Sequence, residues 1–157
     1  MKTIFPALLA LLSLNVLAEV PAVYEKSVDQ NMDSVYPRVQ KALEANGFKV
    51  VYELDMFDNM SKYAEKNAVK DFNVNKLEAI RSIVFCNGPL SIKISNADPA
   101  MLAVCPLHVT LTQKAGHVTV LFVRPGVIVR GSKAEAPAKE LEEKVIKTIE
   151  GGLSEKQ

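Results

Sequence analysis

The side chains best suited to chemistry in this chain are Cys86, Cys105, His108 and Met101. Cys86 closes an apolar run and stands directly before Asn87, Gly88 and Pro89 in "FCNGPL", and the chain has two cysteines in all. A thiol just ahead of a helix start is favoured as the thiolate by the helix N-terminal field, which would suit a thiol-redox pair made of Cys86 and Cys105. The pair lacks the Cys-x-x-Cys spacing of oxidoreductases. A disulfide and two small buried apolar side chains are the other readings of the same residues. Met101, Cys105 and His108 also form a run of soft and borderline ligands suited to copper. Strand alternation would point Cys105 and His108 to opposite faces unless Pro106 breaks the parity.

Other constellations are missing. His108 and His117 are the two histidines. A turn near Lys114-Ala115 would pair His117 with residue 112 or so, leaving the imidazoles more than about 13 Å apart at roughly 3.3 Å per residue, too far for a shared metal. No serine lies in a nucleophile-elbow or Ser-x-x-Lys context, and no glycine-rich loop has a phosphate-binding pattern. Carboxylate pairs fall on helix surfaces, where they read as solvated faces. No cofactor is implied, and binding is expected rather than catalysis.

The elements that must hold these residues follow from periodicity. Residues 22–28 read as a strand. Residues 33–47 read as a helix capped by Asp33 or Ser34, with Pro37 in its first turn and Gly47 as its stop. Residues 48–55 alternate, with Phe48, Val50, Tyr52 and Leu54 on one face of a strand. A short helix starts at Asp58 or Asn59 with Met60, Tyr63 and Ala64 inward, and residues 67–78 read as loop. Residues 79–86 are apolar on both faces, as a central strand should be. Asn87 caps a helix that starts near Pro89, and "NADP" ends it. Residues 107–123 form a hairpin turning at Gly116, with Leu107, Val109, Leu111, Val118, Val120 and Phe122 facing the core. Pro125-Gly126 breaks the second arm, and "VIVRG" continues it as an edge segment. A last helix follows Ala136, buries Leu141, Val145 and Ile149, carries the pairs Glu140/Lys144 and Glu143/Lys147, and ends at Gly151-Gly152 before a frayed tail. The expected fold class is α+β: a mainly antiparallel sheet of about five strands with helices packed on one face. The opposite face then carries His108, Thr110, Thr119, Leu121 and Val123, with Thr110 and Thr119 as cross-strand neighbours. Cys86 ends one strand and Cys105 opens the next. Antiparallel pairing of those strands would bring the thiols together, with a disulfide as the expected state and a reducible pair or soft-metal site as alternatives.

The first residues set the compartment. Lys2 precedes an apolar run ending at Val16-Leu17-Ala18, the pattern of a secretory signal peptide cut before Glu19. The expected organisation is a leader over residues 1–18 and one domain over 19–157, located in the periplasm. Losing Lys2 balances the 19 basic and 18 acidic residues, which argues against nucleic acid or an anionic membrane as partner. No later stretch is apolar enough to span a bilayer, so no integral membrane segment is expected after cleavage.

Several motifs recur in a familiar order: Gly47-Phe48 after a helix, Cys86-Asn87-x-Pro89-Leu90, Asp98-Pro99, a second cysteine beside a proline, a hairpin, and Arg124-Pro125. Over roughly residues 22–130 the chain resembles the bacterial family catalogued as domain of unknown function 302. The resemblance implies a compact α+β domain related to the TATA-binding-protein half-fold, often dimeric, with no settled activity. The family's usual order before the hairpin is Pro-Cys. Here it is Cys105-Pro106, which moves the cysteine by one place. The expected function is that of an exported non-enzymatic domain that forms a homodimer or binds a small ligand on its open sheet face. The alternative is a periplasmic thiol-redox accessory or copper-binding protein using the two cysteines.

Overall fold

The computed structural model describes residues 20–154. The expected leader over 1–18 and the end of the tail lie outside them. Five strands, β1 (Val23–Val28), β2 (Lys49–Asp55), β3 (Ala79–Cys86), β4 (Leu107–Lys114) and β5 (His117–Val123), form one sheet in the order β1-β5-β4-β3-β2. Every neighbouring pair is antiparallel. Five α-helices accompany them: α1 (Met32–Ala45), α2 (Met56–Lys66), α3 (Gly88–Ala97), the single turn α4 (Pro125–Ile128) and α5 (Glu135–Ser154). A 3-10 helix over Pro99–Val104 leads from α3 to β4. This is the expected α+β class.

The core lies between the sheet and helices α1, α3 and α5. Alternation brings Phe85, Ile83, Val109, Leu111, Val120 and Phe122 to one sheet face, each at most 1% exposed. Val35, Val39 and Leu43 of α1 and Leu141, Val145 and Ile149 of α5 recur at helical spacing and meet that face. Lys93 of α3 reaches Glu140 of α5 at 2.9 Å, so Glu140 is held across helices rather than by Lys144. Lys144 lies over the Phe48 ring instead, 5.2 Å from its centroid.

Several expected boundaries move, each for a local reason. Asn31, not Asp33 or Ser34, caps α1: its side chain accepts from the Ser34 N–H at 3.0 Å. Pro37 therefore falls in the second turn. Asp55 ends β2 and caps α2 at once, accepting from the Asp58 N–H at 2.9 Å, so no loop separates strand from helix. Met60 and Tyr63 of α2 are 42% and 66% exposed, and Ala64 alone of the expected inward trio is buried. Gly151-Gly152 does not end α5. The helix continues to Ser154, and Gly152 is where it meets α1: a Cβ there would stand 3.0 Å from the Arg38 carbonyl oxygen and 3.1 Å from the Ala42 Cβ. The second arm breaks at Pro125-Gly126 as expected, but the residues that follow do not continue β5 as an edge segment: Pro125–Ile128 turn as α4.

Two features shape the opposite sheet face. The β2–β3 register shifts between Val50 and Tyr52, so Val51 is an extra residue on β2. Phe48 and Val50 face the core as expected, but the bulge sends Tyr52 and Leu54 to the other face. Glu53 comes to the helix side, where it accepts from the Tyr36 hydroxyl at 2.8 Å and from the Gln40 amide at 3.0 Å. The second feature is α2, which lies against that opposite face at its β2–β3 end. Ser82, whose side chain is on that face, is 4% exposed and donates to the Met56 Sδ at 3.1 Å.

Candidate functional site

The quoted motifs converge at one end of the sheet. β3 stops at Cys86, and Asn87, 5% exposed, caps α3 by accepting from the Leu90 N–H at 3.1 Å. Its amide donates to the Gly47 carbonyl, also at 3.1 Å, which joins the end of α1 to the start of α3. Pro89 sits in the first turn of α3, where its missing N–H costs nothing. Asp98 ends α3 and caps the 3-10 helix through the Ala100 N–H at 3.2 Å, with Pro99 behind it. The chain then reaches β4 through Cys105 and Pro106, joined by a cis peptide.

Both cysteines are half-buried free thiols. Phe85 pairs with Leu107, so the same register continued by one step sets Cys86 opposite Pro106, with Cys105 the next residue. The Cys105 Sγ lies 3.7 Å from the Ser91 Oγ of α3. Burial pushes the Cys86 thiol above its usual pKa, the neighbouring Cys105 adds to that, and Lys49 pulls the other way. The expected thiolate activation of Cys86 is therefore reversed. Asn87 takes the helix-capping position, and Cys86 points from the strand into a partly desolvated setting.

Beside this end a pocket of about 290 Å³ opens, lined by Ala103, Val104, Pro106, Leu107, His108, Phe122, Val123, Pro125 and Ile128. His108 is the one titratable side chain in that wall. Arg124 and Pro125 fix the far side. The Arg124 guanidinium pairs with Glu142 of α5 at 2.8 Å and lies over the Tyr24 ring. The other Glu142 oxygen accepts from the Gly126 N–H at 3.0 Å. Gly126 is required there, since a Cβ would come within 2.8 Å of the Lys139 Cγ and 2.9 Å of that Glu142 oxygen. Tyr24, beneath Arg124, is pushed up to about 12 by burial and by Glu150, to which its hydroxyl donates at 3.3 Å.

His108 and Val123 also belong to the sheet face opposite the core. Across the strands that face runs in rows. Val23 pairs with Val123, and the register carries the row on through His108 to Val84 and Tyr52. The next row is Glu25, Leu121, Thr110, Ser82 and Leu54. Thr110 bonds Ser82 at 2.6 Å and Thr119 bonds Ser27 at 2.9 Å. The two threonines are thus in different rows, not paired with each other, because Ala115 and Gly116 alone make the hairpin turn, both at positive φ. That turn also pairs His117 with Lys114 rather than residue 112, which places His117 still farther from His108. His117 approaches Asp29 at 3.1 Å.

Of the proposed soft-ligand set, Met101 packs against the core, Cys105 adjoins α3, and His108 lines the pocket. Among the described residues no three His, Cys, Asp or Glu side chains gather as a metal-holding group. Among the described residues no helix is long and apolar enough to cross a membrane. Glu142 was not singled out by the sequence, and Gly126 only as part of the break after the hairpin. Glu142 looks like any surface carboxylate of an amphipathic helix, and only its position opposite Arg124 in space marks it.

No curated protein matches the chain. Among solved structures, the chain is similar to the crystal structure of an uncharacterized conserved protein DUF302 from Bacillus stearothermophilus. That likeness has a TM-score of 0.70 at 13% identity, over 84% of this chain and 98% of that one. It supports the fold. The family model described as domain of unknown function DUF302 matches residues 24–152. Its span takes in the capped turn after Cys86, the hairpin, Arg124-Pro125 and most of α5, and on that match the chain belongs to the DUF302 family.

Proposed function

We propose that this is an exported, non-enzymatic binding domain that takes a small, largely apolar ligand in the pocket at the end of its sheet. One observation carries the reading: His108 and Val123 belong both to the pocket wall and to the exposed sheet face. An open apolar hollow with a single titratable group in its wall is what a ligand with a hydrocarbon body and one polar group requires. The volume of about 290 Å³ limits that ligand to small size. Export is supported by the Lys2-plus-apolar opening and the Ala18-Glu19 junction.

A second reading is favoured by a separate observation. Val23, Val123 and Tyr52, from one row of the open face, are 45%, 42% and 59% exposed. A twin subunit laid on that row would bury them and close the pocket mouth.

The test is made on protein recovered after export. Its intact mass should correspond to a chain beginning at Glu19. An apolar fluorescent probe, anilinonaphthalene sulfonate, should bind the folded protein at one site per chain. Val123→Asp should weaken that binding about tenfold or more by placing a charge in the apolar wall. Equal binding by the variant, or no saturable binding at all, overturns the ligand reading. A retained Met1 overturns export.

A further inference from the structure

We propose that Cys86 and Cys105 are an intramolecular redox pair whose disulfide pins the segment between them, α3 and the 3-10 helix, to the end of the sheet. The placement comes from the strands. Phe85 and Leu107 are cross-strand partners, so Cys86 falls opposite Pro106 and Cys105 lies one residue further. Cys86 is the last residue of β3 and Cys105 stands two residues before Leu107, the first of β4, so both thiols lie at the same end of neighbouring strands, and a bridge between them requires Cα atoms within the roughly 4.4–6.8 Å range of disulfides. Both thiols are half-buried and uncommitted to any bond between them. The Cys86 thiol is raised chiefly by burial, and the neighbouring Cys105 adds to that shift.

The chemistry is thiol–disulfide exchange with a low-molecular-weight disulfide as oxidant. One protein thiolate attacks a sulfur of the small disulfide and expels one small thiolate, leaving a mixed disulfide. The second protein thiolate attacks the protein sulfur of that mixed disulfide and expels the other small thiolate. Two protons leave the cysteines, two electrons pass to the small disulfide, and one S–S bond forms as another breaks. The raised Cys86 thiol makes the reaction speed up as pH rises through the thiol range, since the thiolate is the nucleophile. The bridge would hold the segment that supplies Ala103 and Val104 to the pocket wall. The pair itself stands whether or not a ligand occupies that pocket.

The test uses the exported chain, reduced and then exposed to oxidised glutathione. Intact mass under denaturing, non-reducing conditions should fall by two hydrogens, free thiols should disappear, and one cross-linked peptide should hold Cys86 and Cys105. In the Cys86→Ser variant Cys105 should instead retain a glutathione adduct. Amide exchange over residues 88–104 should be roughly tenfold slower in the oxidised wild type than in the reduced form. Separate glutathione adducts on both cysteines of the wild type, or two persisting thiols, would overturn the pair. A bridge that forms without slowing exchange in 88–104 would overturn the pinning.

Discussion

Val120, Leu121, Phe122 and Val123 are consecutive, yet they live on two different surfaces. Val120 and Phe122 point into the helix-covered face and are 0% and 1% exposed, while Val123 on the open face is 42% exposed. The covered face is a filled volume in which shape decides what is tolerated. The open face divides along its length. Towards α2 and the hairpin turn, hydroxyls satisfy one another through Ser82–Thr110 and Ser27–Thr119, and Ile80 and Ser82 are buried. Towards the cysteine end lies an apolar row with a pocket beside it. The difference shows where binding is available. The hydroxyl-paired part of the open face is complete in itself, and the row through Val23, Val123 and Tyr52 leaves apolar surface in water.

The comparison can be broken most forcefully at Phe122. Truncation to Ala on the filled face should cost about 3–5 kcal/mol, a large share of a typical domain's stability. A denaturant midpoint that hardly moves would mean the covered face is not tightly packed. A smaller but clear loss is expected at Glu142, the charged residue that the covered side admits at its edge. Glu142→Ala leaves the Arg124 guanidinium and the Gly126 N–H without their carboxylate. The expected destabilisation is about 3 kcal/mol, read by thermal or chemical unfolding. A loss no greater than that of an exposed helix substitution would show the ion pair to be ornamental. The least effect on stability is expected at Leu121. Leu121→Glu on the open face should keep its far-ultraviolet circular dichroism and unfold within about 1 kcal/mol of wild type. If a twin subunit covers this face as proposed, light scattering should read wild type as a dimer and the variant as a monomer. Loss of the folded signal would place Leu121 in the core and erase the distinction between the faces.

Most of this contrast was legible from residue order. Period-two alternation in 107–123 assigns each side chain to the correct face, and the Asn87 cap with Pro89 locates α3 within a residue. Local signals end where long-range partners take over. Nothing near Val51 announces a bulge, because the extra residue exists only relative to β3, and it reverses the faces of Tyr52 and Leu54. Gly151-Gly152 carries the composition of a helix stop, but Gly152 serves the close approach of α5 to α1. Met60 and Tyr63 have helical spacing and stay exposed, since α2 lies on the open face rather than among the core helices. At the candidate site the motif residues were visible, and the carboxylate that clamps Arg124 was not. Cys86 illustrates the same limit. Its position ahead of a helix predicted a lowered pKa, and the surrounding burial with Cys105 beside it produces the opposite shift.

The Val51 bulge has a further consequence, for crowding. β2 is an outermost strand, and an outermost strand offers unpaired amides and carbonyls to any other extended chain. The extra residue interrupts the repeat of those groups and tightens the local twist, while Lys49, Glu53 and Asp55 line the same margin with charge. A second sheet approaching edge-on finds no continuous ladder to extend. At the β2 margin the bulge thus acts as a guard against edge-to-edge pairing and fibrillar growth.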